Sequence, residues 1–325
     1  MSRFLSEDHS FFLSLFSNAE QKPFIDVRSQ SEYNNGHIPT AIHIPLFSDE
    51  ERAIVGTTYK QGGRHSAIEK GLSLISLSSL VEKIKECKLP KELILYCARG
   101  GMRSQAMGWL FELLGYKVTL IPGGYKTFRR FVLSLFAKTY SLCVLSGKTG
   151  VGKTDLLQKL KKKHEPMLDL EELAQHRGSV FGALAHSQPS QEQFENLLGL
   201  ALFDLQDKTF WVEDESRFIG TMRIPDSFFN QMQKAPVYLL SSTPEERVQR
   251  ILRDYAAQPV ENLTKSICQL KKGLGEENTK KAVALVEEKN YAEAILLLMH
   301  YYDERYERAL SKRDPNTIHR EEILL

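Results

Sequence analysis

Short apolar runs recur along the chain, and the segments between them carry apolar residues at helical spacing. Phe24-Ile-Asp-Val27 predicts a short buried strand, and Ala41-Ile-His-Ile-Pro45 a second extended piece. Ser79-Leu-Val-Glu82 has the form of a capping box and predicts a helix with Leu80, Val81 and Ile84 on one face, ended by Pro90. Leu93-Ile-Leu-Tyr96 predicts a buried strand. The helix after it places Ala106, Leu110, Leu113 and Leu114 inward, with Gly115 as its stop. Lys117-Val-Thr-Leu-Ile121 is a further strand, closed by Pro122-Gly-Gly124. Ser141-Leu-Cys-Val-Leu145, Thr209-Phe-Trp-Val212 and Val237-Tyr-Leu-Leu240 continue the series. Leu156, Leu157 and Leu160 mark the inner face of one helix. Thr243-Pro-Glu-Glu246 caps another, which buries Val248, Ile251, Leu252 and Tyr255. From about Asn278 the pattern is helical, with Asn278 and Asn290 as caps and Ala292, Ile295, Leu296 and Met299 inward. Tyr301, Tyr302 and Tyr306 read as packing or as a base-stacking cluster. This alternation of strand and helix places the chain in the α/β class, with a helical C-terminal extension.

At 325 residues the chain is long enough for two domains of about 150 residues each. The pattern divides it into 1–137 and 138–325, with the C-terminal helices starting near 245. Cys87, Cys97, Cys143 and Cys268 are far apart and include no Cys-x-x-Cys pair, which excludes a zinc ribbon and argues against a disulfide scaffold. Glu7 and Asp8 stand where a signal peptide would carry basic residues, and no apolar run reaches the length of a membrane span. A cytoplasmic monomer is the expectation. Net charge is only +2, but residues 52–139 hold 15 basic and 5 acidic side chains, a local +10. That stretch is a candidate footprint for a polyanion, or else a solvated face whose charges are paired within the fold.

Cys97-Ala-Arg-Gly-Gly-Met-Arg-Ser104 joins a strand to a helix. Gly100 and Gly101 let the backbone curl so that several N–H groups converge. The helix start adds a positive dipole end, and Arg99 and Arg103 add full charges. Together these favour thiolate over thiol and form a cradle for an oxyanion before the sulfur. The plain alternative is a small buried cysteine at a strand end.

Gly147-Lys-Thr-Gly-Val-Gly-Lys-Thr154 fits G-x-x-x-x-G-K-[ST], with a strand before it and a helix after it. Backbone N–H groups of Gly147, Lys148, Thr149, Gly150, Val151 and Gly152 would wrap a diphosphate. Lys153 supplies a point charge, and Thr154 a hydroxyl for Mg²⁺. Thr209-Phe-Trp-Val212 then runs into Glu213, Asp214 and Glu215, acids fitted to orient that Mg²⁺; which of them does so stays open at this level. The guanine-reading Asn-Lys-x-Asp signature is absent.

Ile25-Asp-Val-Arg28, Glu32-Tyr33, Gly36-His-Ile-Pro39, the Cys97 loop and Pro122-Gly-Gly124 resemble a rhodanese domain across about residues 10–135. Five residues separate Cys97 from Arg103, one more than in most rhodaneses and the size used by cysteine phosphatases of the same fold. Asp26, Arg28 and Glu32 are read as holding sheet and loop together. Adding Val55-Gly-Thr-Thr-Tyr-Lys-Gln61, Gly124-Tyr-Lys126, Asp169 to Ser179, Phe181-Gly182 and Glu213-Asp-Glu-Ser-Arg217 with Ile219-Gly220, the chain resembles the tRNA 2-selenouridine synthase family over nearly its whole length, least clearly in the last 60 or so residues.

That resemblance implies an enzyme that converts wobble 2-thiouridine in tRNA to 2-selenouridine. Geranyl diphosphate would first alkylate the sulfur, and selenium from selenophosphate would then displace it. It implies Cys97 as selenium carrier, with Arg99, Gly100, Gly101 and Arg103 as its selenophosphate cradle. Gly147 to Thr154 would hold the diphosphate, with Thr154, Glu213 and Asp214 on Mg²⁺, and no requirement for ATP. Asp169, Glu171, His176, Arg177, Glu215 and Arg217 are further contact candidates. Lys60, Arg64, Lys126, Arg129 and Arg130 are the expected anticodon-arm footprint, and a selenophosphate-supplying enzyme is a possible partner. The rival readings are a cysteine phosphatase fused to a small-molecule kinase, a thiosulfate sulfurtransferase with an appended nucleotide-binding module, and a non-catalytic tRNA-binding P-loop regulator.

Overall fold

The computed structural model describes residues 11–16, 22–176, 187–255 and 259–320. Two compact units are present. One comprises Met1–Leu135 with Glu195–Gly199, the other Phe136–Phe194 with Leu200–Leu325.

In the first unit, β1 (Phe24–Asp26), β2 (Ile42–His43), β3 (Glu92–Tyr96) and β4 (Lys117–Leu120) form a parallel sheet in the order β2-β1-β3-β4. Four of the five residues of β3 are buried, as a central strand covered on both faces requires. The helices are α1 (Gln30–Asn35), α2 (Asp49–Leu74), α3 (Leu77–Glu86), α4 (Met102–Leu113) and α5 (Gly124–Leu135). The core joins Ile25, Val27, Leu93 and Leu95 to Leu80, Ile84, Met107 and Phe111.

Several expectations need correction here. Helix α3 begins at Leu77 with Ser76 as its cap, so Ser79 lies inside it; Leu80 and Ile84 are buried as expected. The inner face of α4 is Ser104, Met107, Gly108, Leu110 and Phe111, while Ala106 is exposed and Leu113 is 64% exposed. The stripe is set by Gly108. A Cβ there would stand 3.3 Å from Leu120, so the glycine lets the helix lie close to β4, while Met107, Leu110 and Phe111 pack into the core and Leu113 stays outside. Helix α2 carries only a weak apolar stripe, whereas α5 buries Tyr125, Phe128, Phe131, Val132 and Leu135 at helical spacing, a pattern present in the sequence that the strand-centred reading passes over.

In the second unit, β5 (Ser141–Ser146), α6 (Lys153–Lys162), β6 (Met167–Leu168), α7 (Leu170–Ala174), α8 (Gln191–Leu205) and β7 (Thr209–Glu213) lead to a two-stranded hairpin of β8 (Phe218–Ile219) and β9 (Met222–Arg223). Then come α9 (Asp226–Lys234), β10 (Val237–Leu239), α10 (Pro244–Tyr255), α11 (Val260–Gln269), α12 (Lys271–Leu274), α13 (Glu276–Glu287), α14 (Tyr291–Leu310) and β11 (Ile318–His319). The main sheet is parallel, in the order β11-β10-β5-β7-β6. The loops after β5 and β7, neighbouring strands, therefore open at the same carboxyl edge.

The capping box of α10 forms: Glu246 N–H donates to Thr243 Oγ1 at 3.3 Å and Thr243 N–H to the Glu246 carboxylate at 3.1 Å. Asn290 stands at the N-cap position of α14 but its side chain makes no cap hydrogen bond, and Asn278 lies inside α13, whose N-cap position is Gly275. Helix α14 buries Ala294, Ile295, Leu298 and Met299 and leaves Ala292 and Leu296 outside. It packs on two sides, Ala294 and Leu298 against the α11–α13 cluster and Ile295 and Met299 against α10. Two flanking partners rotate the buried stripe away from the expected one.

Candidate active site

Cys97 follows the last residue of β3 directly and is 3% exposed. Its sulfur lies 3.2 Å from Ser104 Oγ and accepts the Gly101 N–H at 3.3 Å. Burial works against a charged sulfur. The Ser104 hydroxyl and the backbone N–H groups of Arg99, Ser104 and Gly101 outweigh it and hold the thiol below its ordinary pKa. Ser104 thus belongs to the site, a residue the sequence displays but does not mark.

The loop is held from outside. Gly100 takes φ +63°, and a Cβ on it would come within 2.8 Å of Gly123 N and 2.9 Å of Ile121 O. Tyr125 N–H donates to Cys97 O at 2.9 Å and Lys126 N–H to Ala98 O at 3.1 Å. The Pro122-Gly-Gly124 turn is therefore the outer wall of the Cys97 loop, and its glycines allow backbone to meet backbone.

Arg103 makes a two-point ion pair with Glu32 at 2.6 and 3.1 Å. A guanidinium carries five N–H donors, so this pair fixes its position and leaves donors for an anion. The Arg99 side chain is exposed. Arg28 is buried, paired with Asp26 at 2.6 Å and stacked 3.8 Å over the Tyr125 ring, so these residues support the sheet as expected.

Burial tends to raise the Glu32 carboxyl, but Arg103 overrides it and brings it down to about 2. A depressed carboxyl pKa contributes stability above its unfolded value of about 4.3, and that contribution fades as pH falls toward about 2. Glu32→Gln is expected to destabilise the first unit by about 2 kcal/mol at neutral pH, because Arg103 is left unpaired. Urea unfolding of both proteins at several pH values checks this. The difference should be constant above about pH 5 and shrink below about pH 4; a difference that does not change with pH would refute the assignment.

In the second unit, the loop between β5 and α6 takes positive φ at Gly150 (+78°) and Gly152 (+102°). Lys153 Nζ lies 3.8 Å from Glu215 and 3.5 Å from the Asp214 carbonyl. Burial would lower this ammonium, yet Glu215, Glu171, Asp214 and Glu213 together hold it above its ordinary value. Glu215 in turn is pushed up to about 8 by burial and the neighbouring carboxylates, with Lys153 opposing. Glu213 is 1% exposed and accepts the Glu171 N–H at 2.8 Å; burial and the neighbouring acids raise its carboxyl strongly. Asp169 caps α7 through the Glu172 N–H.

The loop's outer side is clasped by the C-terminal helices. Arg247, 5% exposed, donates to Thr149 O at 2.8 Å and makes a two-point pair with Asp303 at 2.9 and 2.6 Å. Lys148 pairs with Glu307 at 2.8 Å. Ser146 Oγ donates to the Asp214 carboxylate at 2.5 Å and lies within hydrogen-bond distance of Tyr306 Oη at 3.2 Å. Arg313 donates to the other Asp214 oxygen at 2.6 Å. Within the loop, Val151 N–H donates to Lys148 O at 3.1 Å.

These contacts sharpen the reading of the three acids. The Asp214 carboxylate, expected at Mg²⁺, is engaged by Ser146 and Arg313. Glu215 faces the Lys153 ammonium at 3.8 Å, and Glu213 the Glu171 N–H at 2.8 Å. Among the described residues no group of three or more His, Cys, Asp or Glu is placed to cage an ion directly.

The model of the tRNA 2-selenouridine synthase AAA domain matches residues 140–323, and that of the rhodanese-like domain residues 12–130. The tRNA 2-selenouridine synthase of Aeromonas salmonicida is 34% identical over 340 residues, covering 92% of this chain and 90% of that protein. The chain belongs to the tRNA 2-selenouridine synthase family.

Two further proteins of that name align over shorter stretches. The one from Shewanella denitrificans is 43% identical over 76% of this chain and 68% of its own length. The one from Nitrosomonas europaea is 41% identical over 72% and 63%. Against the family resemblance, some expected contacts sit differently. Arg129 is 14% exposed, with its guanidinium held by Glu195 and Asn196 at 2.6 Å each, so it is a structural residue and not part of an open footprint. Arg130 donates to Thr127 at 3.2 Å. Lys60, Arg64 and Lys126 are exposed. Arg217 pairs with Asp226 at 2.6 Å and lies over the Phe229 ring, beside the β8–β9 hairpin. His176 stands near Gly220 of the same hairpin. Arg177 and Phe181-Gly182 lie outside the described residues. No described helix is long and apolar enough to cross a membrane.

Proposed function

We propose that this chain is a tRNA 2-selenouridine synthase that replaces the sulfur of wobble 2-thiouridine with selenium by way of an S-geranyl intermediate. The observation that carries this reading is the presence of both chemistries in one chain of the family: a thiolate-favouring loop at Cys97 and a diphosphate-type loop at Lys153.

A ring thiocarbonyl is a poor site for displacement, because its sulfur leaves badly. Alkylation converts that sulfur into a neutral thiol leaving group. The sulfur attacks the geranyl carbon bearing oxygen, the carbon–oxygen bond breaks, and the diphosphate departs with the electron pair. The N–H groups of Gly147 to Gly152, together with Lys153, would hold that diphosphate. Lys153 stabilises charge that grows on the leaving oxygen, which is where a preorganised cation contributes most. Thr154, Glu213 and Glu215 would be the residues to hold a Mg²⁺ ion, which would add a further positive charge against the diphosphate. No ATP is consumed.

In the second stage the Cys97 loop would receive selenophosphate, with its phosphate against the loop amides and Arg103. The Cys97 thiolate would attack its phosphorus, so that the P–Se bond breaks and selenide departs with the electron pair; selenide then adds to C2 of the base, geranyl thiolate leaves as thiol, and water frees phosphate from the Cys97 sulfur. The uridine must be turned out of the anticodon loop for either step. The test is nucleoside mass spectrometry of thiolated tRNA incubated with the protein, geranyl diphosphate and selenophosphate. Selenouridine is expected with both reagents, and geranylated thiouridine with geranyl diphosphate alone. Unchanged 2-thiouridine under both conditions would overturn the proposal.

A further inference from the structure

Helix α2 is not one rod. At Gly63 the backbone leaves the helix at φ 75° and ψ −170°. A Cβ on Gly71 would touch Val55 at 3.9 Å and Phe47 at 3.2 Å. In a straight helix, sixteen residues would separate Val55 and Gly71 by about 24 Å. The chain therefore turns back at Gly62-Gly63, and Asp49–Leu74 is an antiparallel helical hairpin. Its base is anchored: Val55 packs against the core of the first unit, and Ala67 and Gly71 are buried.

The outer half of this hairpin does nothing for the core. Residues 59–65, Tyr-Lys-Gln-Gly-Gly-Arg-His, are all exposed, and Tyr59 is 54% exposed. Nothing lies within 4 Å of a Cβ placed on Gly56 or Gly63. No acidic residue occurs between Arg52 and Glu69, and among the described residues Lys60 and Arg64 form no ion pair. A helical arm with three glycines and no buried face at its tip is a poor structure to maintain for stability alone. It presents a flat aromatic ring flanked by unpaired cations, the surface that suits an unpaired nucleic-acid strand.

We propose that the tip of this hairpin grips the single-stranded loop of the tRNA, with Tyr59 stacked on an unpaired base and Lys60 and Arg64 on flanking phosphates. The inference rests on the reading of tRNA as substrate. The Gly62-Gly63 turn gives the tip its narrow profile. A Cβ on Gly62 would meet Ser66 Oγ at 2.8 Å, and Gly63 needs its positive φ.

The test is fluorescence anisotropy of a labelled anticodon stem–loop RNA with the full chain and its variants. Tyr59→Ala is expected to weaken binding about 10-fold, and Tyr59→Phe to retain it. Lys60→Ala combined with Arg64→Ala should lower the slope of log affinity against log salt by about 1 to 2. The affinity for inorganic pyrophosphate serves as a control for folding and should stay the same in all variants. RNA binding unaffected by Tyr59→Ala would overturn the proposal, as would equal losses in Tyr59→Phe and Tyr59→Ala. A parent chain that binds no RNA would bring down the substrate reading as well, whereas normal RNA binding by every variant removes the hairpin's role alone.

Discussion

Cys97→Ser is expected to stop selenation while leaving geranylation intact, so that S-geranyl-2-thiouridine accumulates in the tRNA. The substitution is nearly isosteric. A serine hydroxyl can accept the same Gly101 N–H that now reaches the sulfur at 3.3 Å, so the loop should hold its shape. What is lost is the polarisable, readily ionised atom. The hydroxyl's pKa lies far above that of a thiol, and the Ser104 hydroxyl and loop amides cannot bring it into range. Selenouridine should fall below detection by nucleoside mass spectrometry. Normal selenouridine from this variant would remove Cys97 from the mechanism, and loss of geranylation too would mean that the two steps share one centre.

The second large effect is expected at Lys153. In Lys153→Ala, Glu215 loses the ammonium 3.8 Å away. Geranyl transfer should drop by about 100-fold or more, the scale seen when one charge-stabilising donor is removed from a transition state. The loss should fall mainly on kcat, because charge on the leaving diphosphate grows as the carbon–oxygen bond breaks. Initial rates across a range of geranyl diphosphate concentrations decide this. An unmutated rate would show that the loop does not hold the diphosphate, and a change confined to KM would show that Lys153 binds substrate without assisting the reaction.

Much of this was legible in the residues themselves. The Cys97 and Gly147–Thr154 loops could be read because each needs glycines at fixed spacing between a strand and a helix, a local requirement that leaves a local trace. The clasp around the second loop could not. Arg247 finds Asp303 across 56 residues, Arg313 finds Asp214 across 99, and Tyr306 finds Ser146 across 160. Each is an ordinary surface-type residue in its own neighbourhood, and only the packing of α10 and α14 turns it inward. Tyr306 shows the cost of local reading: grouped with Tyr301 and Tyr302 it looks like packing, whereas its hydroxyl meets the strand that carries the loop. Arg129 erred in the opposite direction. A cation in a basic stretch resembles a footprint until a glutamate and an asparagine from α8 are found on it.

Strand β11 has only two residues, yet it forms the outer edge of the second sheet and pairs with β10 through Val237–Ile318 and Tyr238–His319. That edge and Arg313 are made after every other strand of this sheet. While the chain is being translated, β10 carries an open row of unpaired N–H and C=O groups, and Asp214 waits for its guanidinium. The second unit thus closes its sheet through a pairing between residues about 80 positions apart, a late step in folding. A nascent chain stalled before residue 313 would be a sticky, protease-sensitive intermediate whose first unit is already complete.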